Sequence, residues 1–167
     1  MRKSFLAAIA LLAVTAVPSF TGDTNFGLGF FTKAAPVGGR VWVSKDVAVD
    51  AGLGFTSVTP DGGKSTTQFI LDLGLPYVVK SSDKAKFFVR PGFTFYSLSN
   101  NGASISNMAL NADLGVEYFM ADNFSIEVSH GLSYLTGDTG AIVKGTTIST
   151  RGFGSNDLGF HYYFGGK

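Results

Sequence analysis

Apolar residues recur at every second position along most of the chain, a period that places them on one face of a β-strand. Two short stretches, Phe26–Phe31 and Gly39–Val43, begin this pattern. Six longer stretches follow and bring the number of predicted strands to eight. The longer strands are predicted at Val47–Phe55, Phe69–Val79, Phe87–Phe95, Met108–Met120, Phe124–Tyr134 and Leu158–Phe164.

The second face of these strands is small, polar or charged. It carries glycine and serine together with residues such as Asp50, Arg90 and Glu117. A soluble sandwich also alternates, but its apolar faces pack inward on each other. A polar face of this kind suits the interior of a small barrel, which small residues and paired charges fill, so that the apolar face lies outside in lipid. The pattern therefore predicts an all-β protein, an eight-stranded antiparallel up-and-down transmembrane β-barrel.

The connections alternate between short and long, as in bacterial outer-membrane barrels, which have short periplasmic turns and longer outer loops. The short ones are Ser44–Asp46, Ser81–Lys86 and Ala121–Asn123. The long ones, rich in glycine and serine, are Thr32–Val37, Ser57–Thr66, Ser99–Asn107 and Thr136–Ile148. An even number of strands then places both chain termini on the periplasmic side.

Aromatic residues lie near the ends of the predicted strands, as in the two aromatic girdles of a membrane barrel. Phe69 and Tyr77 are eight residues apart, a distance of roughly 20 Å in a tilted strand. The alternative is that aromatic residues simply favour strands. The predicted girdle comprises Phe69, Tyr77, Phe87, Phe95, Tyr118, Phe124 and Tyr134.

The first segment resembles a secretory signal peptide. Arg2 and Lys3 precede a short apolar run, Phe5–Val17, and small residues follow it. Cleavage after Ala16 or after Ser19 satisfies the small-residue rule, and the second is favoured. We therefore expect a cleaved signal peptide over residues 1–19 and a barrel domain over 20–167. A buried N-terminal helix is the alternative.

The composition excludes several kinds of partner and chemistry. Thirteen basic and twelve acidic residues give no excess charge for nucleic acid, and the absence of cysteine excludes disulfides and thiolate chemistry. Charged residues make up only 15 % of the chain, against about 25 % in a typical soluble domain.

Charged residues are predicted to meet in the lumen. The turn at Ser44–Asp46 sets Arg40 opposite Asp50, and the turn near Asp122 sets Glu117 opposite Glu127. Facing carboxylates need a cation between them. A turn near residues 103–104 would bring Arg90 beside Glu117 and supply that cation. The full predicted lumen cluster is Arg40, Asp50, Asp72, Arg90, Asp113, Glu117 and Glu127. It is either a plug that fills the barrel, which we favour, or a charged gate on a narrow ion path.

Two positions conflict with this scheme. Pro91 lies in mid-strand, where it removes a ladder hydrogen bond, and Pro91-Gly92 suggests a bulge. His130 falls on the lipid face near mid-depth, where a polar ring is costly.

The last strand resembles the C-terminal insertion signal of bacterial outer-membrane barrels, which the barrel-assembly machinery reads. The matching positions are Gly159, Tyr162 and Phe164, although three further residues follow Phe164. As an architecture, the chain resembles the small eight-stranded barrels of the type of outer membrane proteins A and X and the opacity adhesins. The resemblance implies the outer membrane as location, membrane lipid as surroundings, passage through the secretion translocon, and a monomer.

No catalytic residues, cofactor or metal site are predicted. His130 and Ser133 are three residues apart and point to opposite faces of a strand, and no metal, phosphate-loop or dinucleotide motif is present. The leading expectation is a non-enzymatic outer-membrane barrel with a structural or surface-contact role through its outer loops. The alternatives are a small porin-like channel for ions or small solutes and, further removed, a soluble lipid-binding barrel.

Overall fold

The computed structural model describes residues 26–30, 35–100, 103–138, 144–151 and 158–164. Every regular element among them is a β-strand. These residues contain no helix that is long and apolar enough to cross a membrane. The expected signal peptide at residues 1–19 lies outside the described residues. The strands are β1 (Phe26–Phe30), β2 (Val37–Trp42), β3 (Ala48–Val58), β4 (Thr66–Gly74), β5 (Tyr77–Ser81), β6 (Ala85–Asn100), β7 (Ala103–Ala121), β8 (Phe124–Asp138), β9 (Lys144–Arg151) and β10 (Leu158–Phe164).

The sheet closes on itself, because β1 pairs with β2 on one side and with β10 on the other. All pairs are antiparallel. Ten strands occupy eight positions around the wall. Strands β4 and β5 both pair with β6 and share one position, and β9 and β10 both pair with β8 and share another. The predicted fold class, a closed eight-stranded antiparallel barrel, is confirmed.

The predicted strand Phe69–Val79 is interrupted between β4 and β5, at Leu75 and Pro76. Proline has no backbone N–H, so the ladder cannot continue through Pro76. The Leu75 N–H donates to the Pro91 carbonyl (3.0 Å) on the neighbouring strand. The expected bulge at Pro91-Gly92 is wrong: the pairings of β6 run through these residues without a shift. A bulge occurs instead at Val79, between Val78 and Lys80.

Two predicted loops are largely strand. Strand β6 runs on to Asn100 and β7 starts at Ala103, and these two residues pair with each other, so that most of the predicted loop Ser99–Asn107 belongs to the β6–β7 ladder. Serines alternate there with apolar residues, and the alternation continues with its sides exchanged. Likewise, β8 reaches Asp138 and pairs with β9, a strand that falls largely within and just beyond the predicted loop Thr136–Ile148. The predicted short turns near Ser44, Ser82 and Asp122 are present.

The two faces of the wall differ sharply. Side chains that point inward are buried and mostly polar or charged, whereas large apolar side chains that point outward are exposed, for example Leu110, Leu114 and Leu132 on β7 and β8. His130 is also outward and exposed, and β8 keeps its register with β7 around it. The end of the barrel that carries the turns near Ser44, Ser82 and Asp122 is called the short-turn end below.

Candidate functional site

Two arginines dominate the barrel interior, Arg40 from β2 and Arg90 from β6. Both are buried, Arg40 with 0 % exposure and Arg90 with 4 %. Two glycines, Gly74 on the neighbouring strand β4 and Gly92 on β6 itself, make room for Arg90. A Cβ on Gly74 would collide with the guanidinium of Arg90, and one on Gly92 would lie 2.9 Å from its Nη1.

Arg40 binds carboxylates from three strands. Its Nη2 donates to Asp50 Oδ2 (2.7 Å), and its Nη1 donates to Glu127 Oε2 and lies 3.4 Å from Glu117 Oε2. Arg40 pairs with Asp50 in the β2–β3 register, and Glu117 pairs with Glu127 in the β7–β8 register, as the two short turns predict. The guanidinium therefore bridges the two facing glutamates.

The expected contact between Arg90 and Glu117 is wrong. Arg90 pairs with Asp113, because the β6–β7 ladder pairs Asn100 with Ala103, a register that moves the partner of Arg90 by four residues from the one expected for a turn near 103–104. Glu117 pairs with Lys86 instead. The cation that bridges Glu117 and Glu127 is Arg40, which reaches them from β2.

Arg90 holds a second group of carboxylates. Its Nη2 donates to Asp50 Oδ1 (2.8 Å) and to Asp72 Oδ1, and its Nη1 lies 3.5 Å from Asp113 Oδ2. Asp50 thus contacts both arginines and joins the two groups. The network continues through Thr94, which donates to Asp72 (2.5 Å), and Asn111, which donates to Thr94 (2.7 Å).

Aromatic side chains fill the lumen toward the short-turn end. Tyr163 OH donates to Glu117 Oε1 (2.6 Å) and accepts from Trp42 Nε1 (3.2 Å). The ammonium of Lys86 lies 3.5 Å from the centroid of the Trp42 ring. Trp42 and Tyr163 form a buried cluster with Ala48 and Val78. The polar network therefore ends on an apolar layer.

These inward residues follow from the alternation, although the predicted cluster omitted them. Trp42 is two residues from Arg40, and His161 and Tyr163 alternate with the outward residues of β10. The predicted cluster was restricted to acidic groups and arginine. Following every inward position of the strands, whatever its residue type, would have found the aromatic layer as well.

Glu117, Glu127 and His161 have the donor types of a metal site, with their ligand atoms within 4.8 Å of one another. The geometry around them does not suit a metal ion. Arg40 already contacts both carboxylates, and Glu117 Oε1 also accepts from Ser125 (2.6 Å) and Tyr163. A second cation at this position would be repelled by the guanidinium, so the two carboxylates serve as partners of Arg40 rather than as metal ligands.

Ser125, His161 and Glu117 also have the residue types of a hydrolase triad. Ser125 lies opposite His161 in the β8–β10 register, and His161 Nδ1 is 3.6 Å from Glu117. Ser125 donates to Glu117 rather than to the imidazole, and all three side chains are buried. A nucleophilic serine needs its base as hydrogen-bond acceptor and needs access to substrate. This group meets neither requirement.

The predicted girdle residues divide between the two ends of the barrel exterior. Tyr77, Phe87, Tyr118 and Phe124 lie toward the short-turn end, and Phe69, Phe95 and Tyr134 lie toward the other. On β10, Gly159 is buried while Tyr162 and Phe164 are outward and exposed. The rings of Phe164 and Phe26 stack at 6.3 Å across the closing pair of strands.

No protein-family model matches the chain, and no curated protein matches it significantly. The chain's own residues and their geometry are therefore what indicates its function. The clearest indication is the contrast between a buried ion-pair network inside the wall and an exposed apolar surface outside it.

Proposed function

We propose that this protein is an integral outer-membrane β-barrel without enzymatic activity, with a structural or surface-contact role through its outer loops. The observation that carries the proposal is the reversed polarity of the wall. A barrel in water would expose its charged residues and bury its leucines. Here Leu114 is 67 % exposed, while the charged network is buried.

The apolar exterior has the height of a membrane. On β6 it extends from Phe87 to Phe95, about 20 Å for eight tilted residues. On β7 it extends from Met108 to Met120, about 30 Å for twelve. Beyond Phe95 and Met108 the outward positions become serines. An apolar band of finite height, bounded by polar residues, matches the hydrocarbon layer of about 25 Å that such barrels span.

The interior favours a plug over a channel. Arg40 reaches across the lumen to Glu127 on β8, Arg90 binds carboxylates on β3, β4 and β7, and the aromatic layer lies on the short-turn side of them. An eight-stranded barrel leaves room only for side chains. The same network argues against a soluble barrel that carries a lipid, because that function needs an apolar lumen.

Two measurements on one preparation test the proposal. The outer-membrane fraction is run on a detergent gel with and without boiling, and the purified barrel is placed in a planar bilayer. We expect a heat-dependent shift of the band and no steady conductance. A soluble periplasmic band without a shift would refute the membrane assignment, and a shifted band with steady single-channel currents would favour the porin-like channel.

A further inference from the structure

Lys80 occupies an unusual position on the outside of the barrel. Among the lysines whose side chains the structure describes, Lys45 and Lys84 lie in turns, Lys64 lies in the β3–β4 loop, and Lys86 packs on Trp42. Lys80 instead lies on strand β5, in the wall, and is exposed. No ion pair between described residues involves it.

A β-bulge turns this side chain outward. Tyr77 and Val78 pair with Val89 and Phe88, but the next pair is Lys80 with Phe87, so that Val79 is an extra residue. In an unbroken register Val79 would face Phe87, and Lys80 would point inward beside Lys86. A bulge places two successive residues opposite one partner and re-aims the side chains that follow. Here it separates two ammonium groups and brings one to the exterior.

Three outward aromatic residues lie in the same part of the wall as Lys80, at the edge of the apolar band toward the short-turn end. Phe87 is its cross-strand partner, Tyr77 lies three residues before it on β5, and Tyr118 lies on β7 opposite Ala85. All three rings are outward and about half exposed. Aromatic belts mark the interface between hydrocarbon and headgroups, and a lysine close to that interface extends its ammonium toward the headgroups.

We propose that Lys80 binds the phosphate of a lipid headgroup at the periplasmic surface of the membrane, in the part of the wall that carries Tyr77, Phe87 and Tyr118. This inference rests on the proposed membrane function. A phosphate oxygen gives the ammonium a charge-assisted partner that the described protein surface around it does not supply. The bulge at Val79 then sets the depth of the barrel on this side.

The test measures the distance from lysine nitrogen to phosphorus directly. The barrel is labelled with ¹⁵N at the lysine Nζ positions and reconstituted into vesicles of phosphatidylethanolamine and phosphatidylglycerol in phosphate-free buffer. Nitrogen–phosphorus dipolar dephasing is recorded by solid-state NMR for the wild type, Lys80→Gln and the turn control Lys45→Gln. We expect Lys80→Gln to lose the strongest dephasing, while Lys45→Gln keeps it.

The results distinguish a failure of the lipid contact from a failure of the membrane barrel. Equal dephasing in wild type and Lys80→Gln would overturn the lipid contact, provided that both reconstituted proteins show the heat-dependent shift on a gel. The membrane barrel would then stay intact. Absence of any heat shift in vesicles would refute the membrane barrel itself, and the lipid contact with it. The same sample in sugar-headgroup micelles with added inorganic phosphate separates the sources: dephasing there equal to that in vesicles would mean a general phosphate site and overturn a lipid-specific one.

Discussion

Arg40 neutralises carboxylates from three different strands, Asp50 on β3, Glu117 on β7 and Glu127 on β8. The pair with Asp50 and the facing glutamates follow from the sequence, because short turns determine the register of neighbouring strands. The contact between Arg40 and the glutamates could not be predicted in this way. It crosses the lumen, and strand alternation says which residues point inward but not which of them meet.

Replacing Arg40 with methionine should destabilise the barrel severely. The substitution keeps much of the side-chain volume but leaves three buried carboxylates without their shared cation. Removing one partner of a buried ion pair costs about 3–5 kcal/mol. Urea unfolding in vesicles measures the loss, with the exposed turn variant Lys45→Gln as a control that should stay within about 0.5 kcal/mol of wild type. An Arg40→Met barrel as stable as wild type would contradict the network.

Gly74 provides a second test at this scale. A methyl group there would overlap the guanidinium of Arg90 and push it away from Asp50 and Asp72. Overpacking of this kind costs about 1–3 kcal/mol. We expect Gly74→Ala to lower the unfolding free energy by that amount, and to cost much less in an Arg90→Met background. Equal losses in both backgrounds would mean that Arg90 is not the group displaced.

At the level of elements, the longer strands were predictable because apolar residues recur at nearly every second position along them, although Phe69–Val79 forms two strands, β4 and β5, instead of one. The parts of β6 and β7 that lie farthest from the short-turn end were predicted as a loop, because their outward positions change from apolar residues to serine. Leu98 and Ile105 pair with each other at the inward positions of the ladder there, with Leu98 still 40 % exposed, so the period continues while the polarity of the two sides is exchanged. Strand β9 was missed for a related reason: Thr146 and Thr150 occupy outward positions on either side of Ile148, so the apolar alternation is weak.

Backbone hydrogen exchange distinguishes a paired hairpin from a loop. In the hairpin, amides of Ser97–Asn100 and Ala103–Ser106 belong to the β6–β7 ladder. We expect them to exchange at least tenfold more slowly, on the order of 1.4 kcal/mol of protection, than amides of residues 61–65 between β3 and β4. Equal exchange in the two regions, followed by NMR, would restore the loop prediction.

At the scale of the whole molecule, the closed barrel and its inverted polarity could be foreseen from alternation alone, but the eight wall positions could not be assigned fully. Pro76 divides one position into β4 and β5, and the position shared by β9 and β10 carries two separate pairings with β8. Neither division changes which face is apolar. The functional proposal therefore depends on a property of the wall that is the same in the sequence and in the structure.

The stability cost of a charge on the outer face of the wall should show whether that face lies in lipid or in water. Leu114→Arg puts a guanidinium in the middle of the apolar exterior of β7, while Ser106→Arg puts one on the same face of the same strand beyond the band. Arginine near the midplane of a bilayer costs about 2–4 kcal/mol in membrane barrels. We expect that loss for Leu114→Arg and less than about 1 kcal/mol for Ser106→Arg, from unfolding in vesicles. Equal stabilities would place both positions in water.

The most direct test of the central claim is the depth profile of strand β7 in the membrane. The chain has no cysteine, so single cysteines at the outward positions from 104 to 120 can carry a nitroxide label without interference. We predict high collision rates with oxygen and low rates with a water-soluble nickel complex from Met108 to Met120, deepest near Leu114, with the opposite result at Ser104 and Ser106. Uniform access of the nickel complex along the whole strand would show that the apolar face lies in water and would contradict the account.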